Sequence, residues 1–332
     1  MRVITLPHPP VIVGHAAVVG KKEREGPLGA DFDLHDETDT FGMNTWERSE
    51  SEMQRLAVNL ALAKAGLGEA HPDAIFAGDL LNQCIGSAYG LESFHKPFFG
   101  LYGACSTFAL STMLASMAIS AGYFKTCAAV SSSHFCSAEK QFRFPLEYGG
   151  QRAPTAQWTA TAAGALILAD QGDGPRITEV LPGRIVDGGI KDMSNMGAAM
   201  APAAIDTLRA YFEETERRPS DFDLILTGDL GREGMSITTE LMREVGIDLG
   251  EGYNDCGMML YDSSKQDTHC GGSGCGCSAC VVSGHVLRRF AAGELHDVLF
   301  AATGALMSPD SVKQGSSIPA IAHLVRIQSG NH

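Results

Sequence analysis

Short apolar runs alternate along this chain with longer segments whose apolar residues recur at helical spacing. Residues 11–13 form a brief apolar run, whereas residues 21–40 are charged, carry Gly and Pro, and read as an excursion or loop. Asn44-Thr-Trp-Glu47 sets a Glu three residues after an Asn, the capping-box spacing, and so predicts a helix start. Met53, Leu56, Leu60 and Ala63 continue that helix at helical spacing. Ala74-Ile-Phe-Ala77 predicts a short buried strand, and Phe98-Phe99 part of another. Gly103-Ala-Cys-Ser106 is a turn into a long apolar helix ending near Gly122, and residues 127–130 form a further strand. Strands alternating with buried helices predict an α/β protein with a largely parallel sheet.

An internal repeat organises the chain. Asp73-Ala-Ile-Phe-Ala-Gly-Asp-Leu80 returns as Asp223-Leu-Ile-Leu-Thr-Gly-Asp-Leu230, each copy preceded by an amphipathic helix. After the first copy come a Gly-rich turn, a small-residue helix, Ala121-Gly-Tyr-Phe124 and a strand. After the second come Gly274-Cys-Gly-Cys-Ser278, a helix, Ala292-Gly-Glu-Leu295 and an apolar run at 298–303. Matching Ala121 to Ala292 sets Gly276 opposite Cys105, leaving a thiol at that turn in the first half alone. The turn-forming run Asp170-Gln-Gly-Asp-Gly-Pro175 marks a boundary. The expected halves are residues 1–170, with an insertion at 21–45, and residues 171–332.

Three stretches could pass for membrane spans: residues 97–124 and 153–169 lack charge, and 270–287 has only His285 as a titratable group besides thiols. A spanning helix needs about 20 strongly apolar residues. The first stretch instead holds Ser106, Thr107, Ser111, Thr112, Ser116 and Ser120. With mean hydropathy −0.01, these are expected to be elements buried on all sides of a soluble protein. The net charge of −14 speaks against a nucleic-acid or polybasic membrane binder. No apolar leader follows the first ten residues, so no secretory signal is expected, and the nine cysteines read as reduced thiols in a cytosol-like space. The 38 glycines suggest close backbone packing and special turns.

Chemistry-bearing candidates follow from position. Cys105 opens a buried helix, where the positive helix end would lower a thiol pKa and suit a nucleophile; a packed core cysteine is the alternative, and the position at the turn favours a site. His134 follows the strand 127–130 and would sit at its carboxyl end, where open α/β sheets bind ligands. The run 139–152 brings Arg143, Gln151 and Arg152 together with Phe142, Phe144, Tyr148 and a Gly-Gly turn. Two arginines there could hold a small di-acid through paired hydrogen bonds, or belong to a surface loop. Cys270, Cys275, Cys277 and Cys280 lack the two-pair zinc spacing, so no metal site is expected. The same Gly-rich run has no Gly-Lys-Ser/Thr and fits GxGxxG loosely, so it makes a poor phosphate loop.

The duplicated strand–turn–helix halves, with Gly103-Ala-Cys-Ser106 and Gly274-Cys-Gly-Cys-Ser278, resemble the thiolase and ketoacyl-synthase superfamily. A closer resemblance is to the stage V sporulation protein AD family. It is carried by Lys22-Glu-Arg-Glu-Gly-Pro-Leu-Gly29, Ala77-Gly-Asp-Leu-Leu-Asn-Gln83, Gln141-Phe-Arg-Phe-Pro-Leu-Glu-Tyr-Gly-Gly-Gln151, Gly197-Ala-Ala-Met-Ala-Pro-Ala-Ala204, Asn254-Asp-Cys-Gly257 and Ala302-Thr-Gly-Ala-Leu306. The resemblance implies a thiolase-like α/β fold of two duplicated halves in five αβαβα layers, and a homodimer. It implies binding of dipicolinic acid, with or without calcium, for uptake into the developing spore. The ligand would sit near Cys105, with His134, Arg143, Gln151 and Arg152 as contacts and no cofactor. It further implies a forespore protein held at the inner spore membrane by membrane-bound partners of the same uptake system. The alternative is an active acyltransferase with Cys105 as nucleophile. Against that, the His of ketoacyl-synthase III-type condensing enzymes falls near Gly228-Asp229, where there is none, and their Asn falls near Cys275. An enolate would lack its donors.

Overall fold

The computed structural model describes residues 2–142 and 152–330. Ten of the fourteen strands among these build two five-stranded sheets. The first half supplies β1 (Val11–Gly20), β2 (Ala74–Gly78), β3 (Phe98–Gly100), β4 (Thr126–Ser133) and β5 (Ala162–Ala169). The second supplies β6 (Arg176–Leu181), β7 (Leu224–Thr227), β8 (Tyr253–Asp255), β9 (Asp297–Ala305) and β10 (Ala320–Gln328). The spatial orders are β3-β2-β4-β5-β1 and β8-β7-β9-β10-β6, the same order repeated, and a single pair, Val11 with Arg176, joins them. The sheets are mixed rather than largely parallel. β2 and β7 run parallel to both neighbours, but β5 and β10 are antiparallel to theirs. The chain enters β5 from the end at which β4 finished, so it returns in the opposite sense.

Seven helices position the site: α1 (Trp46–Lys64), α2 (Ile85–Leu91), α3 (Thr107–Ser120), α4 (Phe135–Phe142), α5 (Met196–Thr215), α6 (Gly231–Glu244) and α7 (Cys275–Cys280). Strand side chains alternate between two faces. Ala74, Phe76, Cys127 and Ala129 share a central core with Leu224, Leu226, Val298 and Phe300, and α3 adds Phe108 and Met113. Ile75, Ala77, Ala128 and Val130 face outward onto Met53, Ala57 and Val58 of α1. Ile225, Leu299 and Ala301 do the same with Leu208 and Tyr211 of α5. α3 therefore lies between the sheets, packed on β2 and β4 and also on β9 and β10, with α7 beside it. Helix, sheet, helix, sheet, helix make five layers. No helix among the described residues is long and apolar enough to cross a membrane.

The repeated residues do repeated work. Asp73 Oδ2 accepts from the Lys125 and Thr126 amides, and Asp223 Oδ2 from those of His296 and Asp297. Gly122 (φ 79°) and Gly293 (φ 73°) end the two central helices with the same pair of closing bonds. The match at the other helix end needs correction. Residues 281–286 form a π-helical turn, which takes up an additional residue. Counted across it, Cys275 stands opposite Cys105, each following a positive-φ residue, Ala104 (50°) and Gly274 (98°). Both halves thus carry a thiol at the turn. Two boundaries also shift: the helix cap is Thr45, whose side chain accepts from the Arg48 amide, and the first apolar run extends to the ten-residue β1. The excursion at 21–45 is not a free loop. It contains a helical turn, Lys21–Arg24, and a short strand, Leu34–Asp36, on β1, and it buries Glu23.

Candidate functional site

The turn before α3 places Cys105 at the helix start. Ala104 takes a left-handed φ of 50°, costing a non-Gly residue roughly 1 kcal/mol or more. The bent backbone aims the Cys105 thiol across the boundary between the halves. Its partner there is Asp229, at the end of the second repeat, whose carboxylate accepts the thiol's hydrogen bond. Asp229 Oδ2 also accepts from the Gly274 amide (2.9 Å) and Ser273 Oγ (3.2 Å), and Oδ1 from Thr303 Oγ1 (2.9 Å). The side chain of Gln157 fixes the backbone, donating from Nε2 to Asp229 O at 2.7 Å.

This arrangement sets protonation against nucleophilicity. Burial, and then the Asp229 charge, push the Cys105 thiol well above its usual pKa, and the Gly274 and Ser273 donors only partly oppose them. The expected lowering by the helix end is overridden, because a full charge in contact outweighs a partial dipole. Asp229 itself is raised to about 6, chiefly by burial. Cys275 is fully buried beside the site and donates from Sγ to Ser132 O at 2.9 Å. Neither an imidazole nor an amide side chain faces Cys105 among the described residues lining its cavity. Among the described residues no cluster of His, Cys, Asp and Glu is built to hold a metal ion.

The cavity beside Cys105 measures about 60 Å³ and is largely apolar, lined by Leu80, Ala138, Met196, Met200 and Met307, with Glu139 and Thr159 as polar wall. Tyr102, Phe142 and Met307 separate it from a wider vestibule of about 670 Å³ that carries Lys140, Asp310 and Lys313. Thr159 Oγ1 donates to Glu139 Oε1 at 2.9 Å. No sequence motif singles out the lining methionines. Met196 and Met200, one helical turn apart on α5, carried the usable signal.

The structure does not bring the sequence candidates into one site. His134 is fully buried and does not line the cavity. Its Nδ1 accepts from the Cys136 amide (3.2 Å), so Nε2 carries the proton and donates to Asp39 O (2.8 Å). Burial pushes its pKa down. A neutral ring thus pins the 21–45 insertion to the start of α4. Arg152 lies on the other side of the Trp158–Thr159 strand, its guanidinium 4.8 Å from the Trp158 ring and its Nη2 donating to Asp267 O at 2.6 Å. Arg143 and Gln151 fall outside the described residues.

The comparisons with known proteins agree with this architecture. The family model for stage V sporulation protein AD (SpoVAD) matches residues 1–328. The chain is 40% identical over 316 residues to the stage V sporulation protein AD of Bacillus subtilis strain 168, covering 95% of this chain and 93% of that one. Among solved structures it resembles 3-oxoacyl-[acyl-carrier-protein] synthase III from Aquifex aeolicus, with a TM-score of 0.58 and 14% identity over 95% of this chain and 99% of the other. It also resembles cerulenin-bound OleA from Xanthomonas campestris, with a TM-score of 0.61 and 15% identity over 96% of each. At these identities the two enzymes establish the thiolase-like fold and nothing about activity.

Proposed function

Since the chain belongs to the stage V sporulation protein AD family and so has a role in sporulation, we propose that it binds dipicolinate, free or as its calcium chelate, for uptake into the developing spore. The observation that carries the binding reading is the Asp229 carboxylate against Cys105. A thiol held protonated is a poor nucleophile. An oxyanion formed beside it would meet a carboxylate where a condensing enzyme needs donors, and loss of one such donor costs about 10²–10³ in rate. The fold's acyl-transfer centre is thereby left as a pocket.

The proposal extends to the surroundings. The protein would act in the forespore, held at the inner spore membrane by membrane-bound partners, and as a homodimer. Isothermal titration of the purified protein with dipicolinate, alone and with equimolar calcium, tests the central claim. Saturable heat with one ligand per chain is expected. Absence of heat up to millimolar ligand in both titrations refutes it. Mass spectrometry after incubation with short acyl-CoA thioesters tests the rival: an acyl adduct on Cys105 would restore the enzyme reading.

A further inference from the structure

The insertion at 21–45 lies across the joint between the halves and is fastened to both. Gln266 Nε2 donates to Lys22 O at 2.7 Å, and Gly26 rests on the backbone of Leu260, whose oxygen would stand 2.2 Å from a Cβ there. Further along, Asp33 pairs with Lys64 of the first half (2.6 Å) and Arg288 of the second (2.9 Å), and Asp31 Oδ2 meets His285 Nδ1 at 2.6 Å. The central fastening is Glu23, which is 1% exposed. Its Oε1 accepts from the Tyr261 hydroxyl of the second half and from the Thr161 amide of the first (3.1 Å). Its Oε2 is buried with no hydrogen-bond partner among the described residues. Glu23 Oε2 and Asp39 Oδ1 lie 2.9 and 2.3 Å from the point that a Cβ on Gly20 would occupy, so the two carboxyl groups share one small space. Asp39 Oδ1 also accepts from the Lys21 amide at 2.8 Å. Lys22 Nζ is turned onto the Trp158 ring, 3.9 Å from its centroid. Lys21, Glu25 and Cys136 line the cleft beside Glu23, and Cys280 of α7 feels its charge from behind.

We propose that residues 21–45 are a strap latched across the two halves by the proton on Glu23, and that ionising this carboxyl group loosens the strap and the cavity wall it steadies. With the proton on Oε2, Oε1 keeps both its donors and no charge is buried. Without it, a negative charge sits unpartnered in the interior beside Asp39, a cost that is relieved when the strap lifts Glu23 into water. Burial, with a smaller push from the Asp39 charge, raises the Glu23 pKa to about 7, and the Tyr261 hydroxyl and Thr161 amide only partly oppose the rise. In the open strap the group returns to about 4.3, so opening becomes easier as pH rises between those two values and no easier above the higher one. The change reaches the thiol cavity through His134, whose Nε2 donates to Asp39 O (2.8 Å) at the start of α4. That helix contributes Ala138, Glu139 and Phe142 to the cavity wall. His134 itself acts in the opposite sense, since burial lowers its pKa while the strap is closed.

Hydrogen–deuterium exchange of the full chain, read by peptide mass spectrometry and corrected for the intrinsic rate at each pH, measures the opening of the strap. Glu23→Gln fixes the neutral form. The opening constant of residues 21–45 in wild type, relative to Glu23→Gln, should rise about tenfold per pH unit from about 5 to 7 and then level off. Comparing the two proteins at equal pH cancels the His134 contribution. Residues 135–142 should follow in the same sense. A ratio that does not change with pH overturns the latch, and a rise confined to 21–45 overturns its reach to the cavity wall. Tyr261→Phe keeps Glu23 and removes a donor to its carboxylate, so opening should level off at a higher pH than in wild type. An unmoved levelling point overturns the assignment to Glu23, and this arm stands even if Glu23→Gln does not fold.

Discussion

Replacing Asp229 by Asn removes the charge that faces Cys105 and keeps the size of the side chain. The thiol pKa should then fall towards its ordinary value, and each unit of that fall gives about tenfold more thiolate at a fixed pH below it. The expected result is that Asp229→Asn reacts with iodoacetamide at Cys105 at least about tenfold faster than wild type at pH 8, read by mass spectrometry of the Cys105 peptide. An unchanged rate would mean that burial alone quiets the thiol. This residue shows what the sequence could and could not reveal. Cys105 was legible from its glycine-bounded turn, and Asp229 from the repeat, yet their contact was not, because it forms only when the two halves close on each other. His134 misled for a related reason. Its place after a strand was read correctly, but its ring is consumed by Asp39, from an insertion whose course had no periodic pattern.

At the scale of elements the repeat was the strongest guide, because an apolar strand ending in Gly-Asp-Leu fixes both a sheet position and the turn beyond it. The π-helical turn was invisible, since it changes a hydrogen-bond register without changing composition. Glycine content was readable as close packing, and Gly164 shows what it permits. A Cβ there would stand 2.3 Å from Ala279 O, so α7 can rest on β5 only if position 164 has no side chain. Gly164→Ala should lower stability by about 1–3 kcal/mol, the usual cost of overpacking, measured as a drop in the urea midpoint. A neutral effect would mean that α7 can shift away freely. Strand β3 poses a separate question. It is the outer strand of its sheet, and both Phe98 (41%) and Phe99 (42%) are partly exposed. An apolar free edge is a liability unless covered. A second copy of the chain at β3 would cover it, in line with the proposed homodimer. Analytical ultracentrifugation should show a dimer that Phe98→Asp converts to monomer; a wild-type monomer at tens of micromolar concentration refutes the dimer.

Over the whole molecule, buried carboxylates give the stability an uncommon pH dependence. Glu50 is raised to about 8, Glu23 and Asp255 to about 7, and Asp229 to about 6, in every case chiefly by burial, and the Asp79 charge adds to the rise at Glu50. A carboxyl group whose folded pKa lies above its unfolded value binds more protons in the folded state between the two values. Stability therefore falls as pH rises through that window. Buried histidines act the other way. His15, His134 and His323 are depressed by burial, so the unfolded chain binds more protons below about 6.5 and stability rises with pH there. The two groups oppose each other up to about pH 7.5, above which the histidines have finished titrating in both states. Between pH 6.5 and 7.5 the carboxylates outweigh the fading histidine contribution and beyond that they act unopposed, so Tm should fall as pH increases from 6.5 to 8.5. Of these four Glu50 has the highest pKa, and its oxygens are held by Ser132 (2.9 Å) and Ser137 (2.8 Å). Glu50→Gln removes the ionisation while keeping an acceptor, so it should be the more stable protein at pH 8.5, by roughly 1–2 kcal/mol, with the advantage shrinking towards pH 6.5 as wild-type Glu50 takes up its proton. Differential scanning calorimetry of both proteins across that range decides it. Parallel Tm curves, with a constant offset, would mean that Glu50 does not titrate in the folded protein and that the slope arises elsewhere.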